Sequence, residues 1–177
     1  MTSGFDVRAS ALNIRPVRKE DHAQIEDFLR ASPNFNADEV ATALELIDES
    51  LAGDPDYLVN VLENEQGHII GFECHGPTPL TDGTFDLYWI AVDPRAQKRG
   101  HGGRLLRATE DDVARRGGRL LLIETSSQPA YAPTVAFYRR NGYHLDARIH
   151  DFYRRGDDKL VFAKEMTEES SRPGRSG

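Results

Sequence analysis

Apolar positions recur along this chain at two spacings, and the changes of spacing mark out its elements. From Glu20 and Asp21 onward, Ile25, Phe28 and Leu29 fall on one side of a helical turn, and Ser32-Pro33 closes the run. After Ala37, Val40, Leu44, Ile47 and Leu51 repeat at the same period, while Glu39, Glu45, Asp48 and Glu49 lie largely off that stripe. This predicts a second amphipathic helix, ended by Gly53-Asp54-Pro55. Ahead of both, Asn13 to Arg18 reads as a short first strand whose Pro16 confines it to an edge or an end.

From Tyr57 the period becomes that of strands. Tyr57 to Leu62, the turn Asn64-Glu65-Gln66-Gly67 and His68 to Cys74 make a hairpin. The loop Gly76 to Gly83 is dense in turn formers and leads into a third strand, Thr84 to Val92. A glycine-rich basic turn then opens a long amphipathic helix that runs to Arg116 and stops at Gly117-Gly118. Leu120 to Ile123 is a continuous apolar run, the pattern of a strand buried on both faces. Strand, helix and strand make one parallel crossover. A polar loop, Ser126 to Pro129, precedes a short helix from Thr134 to Asn141 with Gly142 at its end. Tyr143 to Tyr153 and Lys159 to Lys164 form a last hairpin. The pattern predicts a single α/β (α+β) domain over residues 13–166, with a mixed, mostly antiparallel sheet of six to seven strands and about four helices. Residues 1–12 read as a flexible leader, and residues 167–177, rich in Ser, Glu, Pro and Gly, as a disordered tail.

Composition narrows the function classes. An apolar fraction of 38% in 177 residues supports one sizeable core. A net charge of -7 argues against a nucleic-acid partner, which would need a basic face, and suits a cationic one. The single cysteine, Cys74, excludes an internal disulfide and a cysteine-based zinc cluster, so no metal is expected. It lies in an apolar strand pattern and reads as a buried, inert thiol. No stretch approaches the roughly 20 apolar residues of a membrane span, and the N-terminus has no signal-like run. A cytoplasmic protein with no membrane partner is expected.

The basic turn, Gln97-Lys98-Arg99-Gly100-His101-Gly102-Gly103-Arg104, carries the clearest chemistry. Unpaired N–H groups and the positive end of the dipole favour an anion at a helix start, and glycines let backbone come close to it. Two familiar phosphate loops fail here. No Lys-Ser or Lys-Thr follows the glycines, and a dinucleotide fingerprint from Gly100 and Gly102 would need glycine where Leu105 stands. A solvated basic loop is the plain alternative.

The segment from Leu87 to Leu106 resembles the central motif of the GNAT superfamily of acyl-CoA-dependent N-acyltransferases, with Gln97, Gly100 and Gly102 at its signature positions. A second family feature, an aromatic-Tyr pair followed by Gly and an aromatic, is matched by Phe137-Tyr138 and Gly142-Tyr143. The order of elements agrees as well, so the resemblance covers Ile14 to Met166. It implies an N-acetyltransferase that moves an acetyl group from acetyl-CoA to a primary amine, on a small molecule or a peptide, by direct attack in a ternary complex. The cofactor's pyrophosphate would lie on the N–H groups from Lys98 to Gly103, across Arg99, Gly100, His101 and Gly102, between Gln97 and Arg104. Ile90, Ala91 and Val92 would pair with the pantetheine arm, and backbone N–H near Val92 would stabilise the oxyanion.

The resemblance also assigns proton chemistry. Tyr138 matches the usual general acid, which protonates the departing thiolate. Asp86 falls where some members carry a glutamate that works through water; Glu124 is a rival base and Glu73 a weaker one. An unperturbed carboxylate, with a pKa of about 4, is a poor base, so burial must raise it. Many relatives have Asn and Ala where this chain has Tyr131 and Thr134, so Tyr131 would replace the cofactor contact by packing, beside Thr134 and Phe137. Acceptor choice in the superfamily depends on the first two helices, the loop before the central strand and the last hairpin. Their acidity here points to a cationic acceptor. A homodimer is compatible with such a domain. The alternative is a CoA-binding regulatory module without turnover, and acyl groups other than acetyl stay open.

Overall fold

The structure, a computed structural model, describes residues 12–166. The expected tail and, but for Leu12, the expected leader lie outside the described residues. Within them runs one seven-stranded sheet: β1 (Asn13–Pro16), β2 (Leu58–Glu63), β3 (Ile69–Pro77), β4 (Thr84–Val92), β5 (Leu120–Ser126), β6 (His144–Arg154) and β7 (Asp157–Glu165). Its spatial order is β1-β2-β3-β4-β5-β7-β6. Only β4 and β5 pair in parallel; every other neighbouring pair is antiparallel. The helices are α1 (His22–Ala31), α2 (Ala37–Ala52), α3 (His101–Arg115) and α4 (Ala132–Arg140).

Helices α1 and α2 bury one face of the sheet. Ile25, Phe28, Leu29, Val40, Ala43 and Ile47 pack on Val59, Val61, Phe72, Cys74 and Ala91. Asn36 and Glu39 cap α2 reciprocally, each side chain accepting the other's backbone N–H at 2.9 and 2.8 Å. The buried stripe of α2 passes through Ala43, with Leu44 half-buried and Leu51 at the surface. Residues 43 and 44 flank the same line at 3.6 residues per turn, and the smaller one lets the helix sit close to the sheet. On the opposite face α3 and α4 cover a second cluster that includes Phe85, Leu87, Leu106, Val113, Leu121, Ile123, Tyr138 and Phe162.

One expectation is corrected. β5 is not buried on both faces: Leu121, Ile123 and Thr125 are buried, whereas Leu122 is half-buried and Glu124 exposed. α1 and α2 lie over β2 and β3 and stop short of β5, so that side of β5 stays open. The edge strand β6 is exposed along its whole length. Among the described residues no helix is long and apolar enough to cross a membrane.

Candidate active site

The ladder between β4 and β5 is short. It runs from Thr84↔Leu120 to Leu87↔Ile123, after which β4 continues to Val92 and β5 to Ser126 without pairing. The cause lies on the other side of β4. Trp89 pairs with Cys74 and Leu87 with His75, so Tyr88 is the extra residue of a β-bulge. A bulge bends its strand and increases its twist, and here it coincides with the parting from β5. Ile90, Ala91 and Val92 therefore keep a backbone edge open toward β5, although the Val92 carbonyl accepts from Gln97 Nε2 at 3.1 Å.

The basic turn follows directly. Asp93 caps a short 3₁₀ turn, Pro94–Ala96, and Lys98 and Gly100 both hold left-handed backbone, with φ of 62° and 79°. α3 then starts at His101 with no side-chain cap, and the first N–H with a helical acceptor is that of Arg104, to Gly100 O at 3.1 Å. Those of His101, Gly102 and Gly103 have no acceptor among the described residues. Left-handed backbone ahead of uncapped N–H groups is a concave anion site. Lys98 and Arg99 are exposed beside it, whereas Arg104 donates to the Leu12 carbonyl at 2.7 Å. Burial, with Arg99 and Arg104 nearby, pushes the His101 pKa down. Phe137 lies against the start of α3: a Cβ added at Gly102 would meet its ring at 3.5 Å. Thr134, half-buried, stands one turn ahead of Tyr138 on α4.

The candidate proton-handling groups flank the parting strands from opposite faces. Tyr138 is 5% exposed, its ring among Phe137, Tyr143 and Phe162 at centroid distances of 5.4, 6.1 and 6.0 Å. Burial alone pushes its pKa up. Asp86 alternates with Phe85 and Leu87, which face α3 and α4, so its carboxylate faces the side of α1 and α2. There it accepts from Thr78 Oγ1 at 2.6 Å. Burial raises its pKa and the Glu124 charge adds to this, against the hydrogen bond from Thr78 and the charge of Lys159.

The rival carboxylates are differently placed. Glu124 lies on the same face as Asp86 but is half exposed and held by Lys159 Nζ at 2.7 Å. Glu73 is on the α3 side, fully buried, accepting from Asn60 at 2.6 Å and bonded to His75 Nδ1 at 2.8 Å. The structure thus brings Asp86 and Glu124 together and sets Glu73 apart. Tyr131, half-buried in the turn before α4, points its hydroxyl at Glu39 of α2, 3.2 Å away.

Sequence reasoning passed over several neighbours. Thr78 sits in a loop read only for its turn formers, and Lys159 in a hairpin strand. The tilted rings of Tyr57 and Tyr88 have centroids 5.5 Å apart, as do those of Phe35 and Trp89. The bulge that turns Tyr88 out has no glycine to announce it. A hollow of about 590 Å³ between α4 and β6, lined by Val135, Arg139 and Arg148 among others, lies apart and shares none of the site residues.

The fold is shared with known proteins. The family model of the acetyltransferase (GNAT) domain matches residues 55–145, from β2 across the basic turn to the start of β6. The chain belongs to the GNAT family of acetyltransferases. A solved structure from Desulfovibrio desulfuricans, assigned to the same family, is 39% identical, with a TM-score of 0.85 over 89% of this chain and all of the other. The uncharacterised N-acetyltransferase YhfO of Bacillus subtilis (strain 168) is 27% identical over 140 residues, 76% of this chain and 91% of YhfO. The acetyltransferase assigned as yncA of Salmonella typhimurium, solved with its cofactor acetyl-CoA, shares the fold at 22% identity and a TM-score of 0.67, over 89% and 95% of the two chains. GNAT membership makes this chain an acyltransferase with the mixed sheet expected of that fold.

Proposed function

We propose that this GNAT domain, residues 13–166, transfers an acetyl group from acetyl-CoA to a primary amine that arrives as a cation. The observation that carries the proposal is the opening between β4 and β5, with Asp86 on one face and Tyr138 on the other. The residues fit the donor. The uncapped N–H groups of His101 to Gly103, with Lys98 and Arg99 beside them, suit a pyrophosphate. The free edge of Ile90 to Val92 suits an amide-bearing arm that adds to the sheet like a strand. Bound there, acetyl-CoA supplies an activated acyl carbon and leaves as a thiol.

The remaining steps fall to the protein. Asp86, its basicity raised by burial and its carboxylate oriented by Thr78, takes a proton from the incoming ammonium, directly or through water. Glu124 is less suited to the role, because its carboxylate is half exposed and already taken up by Lys159 at 2.7 Å. Tyr138 keeps its proton at working pH and gives it to the departing sulfur. Amide and thiol form in one ternary complex: the second proton shed by the attacking nitrogen restores the Tyr138 phenol, and the proton held by Asp86 passes to solvent. An acyl-enzyme on Cys74 is disfavoured, since that thiol is buried and its pKa is pushed far up, chiefly by burial.

Calorimetric titration with acetyl-CoA tests the donor site. We expect saturable binding, and a melting temperature that rises with ligand, since a hundredfold excess over Kd adds about 2.7 kcal/mol. Replacing Lys98 and Arg99 together by alanine should weaken binding about tenfold as two phosphate-facing cations are lost. A response to NAD or ATP and none to acetyl-CoA would overturn the proposal.

A further inference from the structure

The acceptor side is more aromatic than acidic. Near Asp86, the Tyr57 and Tyr88 rings meet at a tilt with centroids 5.5 Å apart, and Tyr131 extends the frame by donating to Glu39 on α2. Tyr153, on β6, carries a pKa raised first by burial and then by the charges of Glu124 and Asp157, and it also lies close enough to perturb Tyr131. The frame thus runs from β2 through β4, β5 and β6 to α2.

The carboxylates of the frame outnumber its cation Lys159, but each already has a partner: Asp86 accepts from Thr78, Glu124 pairs with Lys159, and Asp157 accepts from Ser126. Lys159 is only 14% exposed in its side chain, pairs with Glu124 at 2.7 Å, and stands 3.9 Å over the ring of Phe152. Glu39 spends one carboxylate oxygen on the Asn36 N–H and the other on Tyr131. A polycation entering here meets the Lys159 ammonium, and gains less from the carboxylates than the overall charge of -7 implies. Ring faces attract both a flat apolar group and a single cation.

We propose that the acceptor is a monoamine carried beside a flat ring, and that Tyr131 is a specificity-determining residue on the acceptor side of the cleft. This rests on the acetyl-transfer reading above and narrows its substrate class. The position of Tyr131 in the chain points to the cofactor; its hydrogen bond points to α2. Opened and closed by one half-exposed hydrogen bond, the Tyr131–Glu39 contact is weak enough to part when the amine enters.

The test compares phenethylamine, propylamine and spermidine as acceptors with wild-type protein, Tyr131→Phe, Tyr131→Ala and Tyr57→Ala. Phenethylamine should have a kcat/KM about tenfold above the other two, the worth of one good ring contact. Tyr131→Ala and Tyr57→Ala should each raise its KM by about fivefold with kcat little changed, as for lost ground-state binding. Tyr131→Phe, which keeps the ring, should hold most of the preference. The acetyl-CoA Kd, measured by calorimetry, should stay within about twofold in all variants. A preference for spermidine overturns the ring-bearing monoamine. A weakened acetyl-CoA Kd in Tyr131→Ala with KM unmoved returns Tyr131 to the cofactor side and overturns its acceptor role. Loss of acetyl-CoA binding in the wild-type protein would instead sink the acetyl-transfer reading itself.

Discussion

At the scale of single residues, the chemistry turns on how burial changes two ordinary side chains. Asp86 alone is an unremarked strand aspartate; half-buried beside Thr78, it has a pKa raised by burial, while Glu124 is held by Lys159. Wild-type activity should therefore rise with pH through an acidic limb above the usual carboxylate range, because Asp86 must lose its proton to act and burial raises its pKa. Asp86→Asn should abolish that limb and lower kcat about a hundredfold, whereas Glu124→Gln should leave it in place. A limb that survives Asp86→Asn would assign the base elsewhere. The sequence showed Tyr138 plainly, since an aromatic-Tyr pair followed by glycine is local. It did not separate Asp86 from Glu124, because what distinguishes them, Thr78 and Lys159, comes from a loop and from a strand 35 residues downstream of Glu124.

At the scale of elements, the bulge at Tyr88 is anchored from behind. His75, opposite Leu87, is fully buried and lies between Glu73 at 2.8 Å and Asp112 of α3 at 3.1 Å. Burial alone would lower its pKa, but the hydrogen bonds to Asp112 and Glu73 win and raise it to about 9. The folded value exceeds the unfolded value of 6.5, so this stabilisation is complete below pH 6.5 and fades as pH rises through about 9. Thermal melts of wild type and His75→Gln should thus differ most below about pH 6.5 and converge above pH 9; parallel curves would contradict it. Removing one member of a buried ionic group costs about 3 kcal/mol.

A second element-scale test uses Gly76, which faces Asp86 in the ladder. A Cβ there would stand 1.8 Å from the Asp56 carbonyl oxygen and 3.2 Å from the Tyr88 ring. Gly76→Ala must displace backbone, and we expect a loss of about 2 kcal/mol on urea unfolding, with acceptor KM raised because Tyr57 and Tyr88 move. The elements themselves were largely legible. Hydrophobic period gave both hairpins and the crossover, and the Asn36–Glu39 cap fits the start read at Ala37. The open face of β5 was not legible, since an apolar run of four residues reads the same whether or not a helix covers it.

At the scale of the whole molecule, the fold sets the reactants on two sides of one opening. In the proposed reaction α3 and α4 shape the face that meets the donor, and α1, α2 and β6 frame the face left to the acceptor. Overall charge misleads about that second face. The net -7 suggests a cleft of free carboxylates, yet Glu124 is paired with Lys159, Asp86 accepts from Thr78, and aromatic rings stand beside them. Composition counts charges; only the assembled sheet shows which of them meet. The most direct test is to supply acetyl-CoA labelled in its acetyl group together with a primary amine, and to follow the label by mass spectrometry in wild-type protein and Tyr138→Phe. The expected result is label in the amide, formed about a hundredfold more slowly by Tyr138→Phe at unchanged acetyl-CoA affinity. Equal rates in the two proteins, or bound acetyl-CoA whose label never reaches an amine, would contradict it.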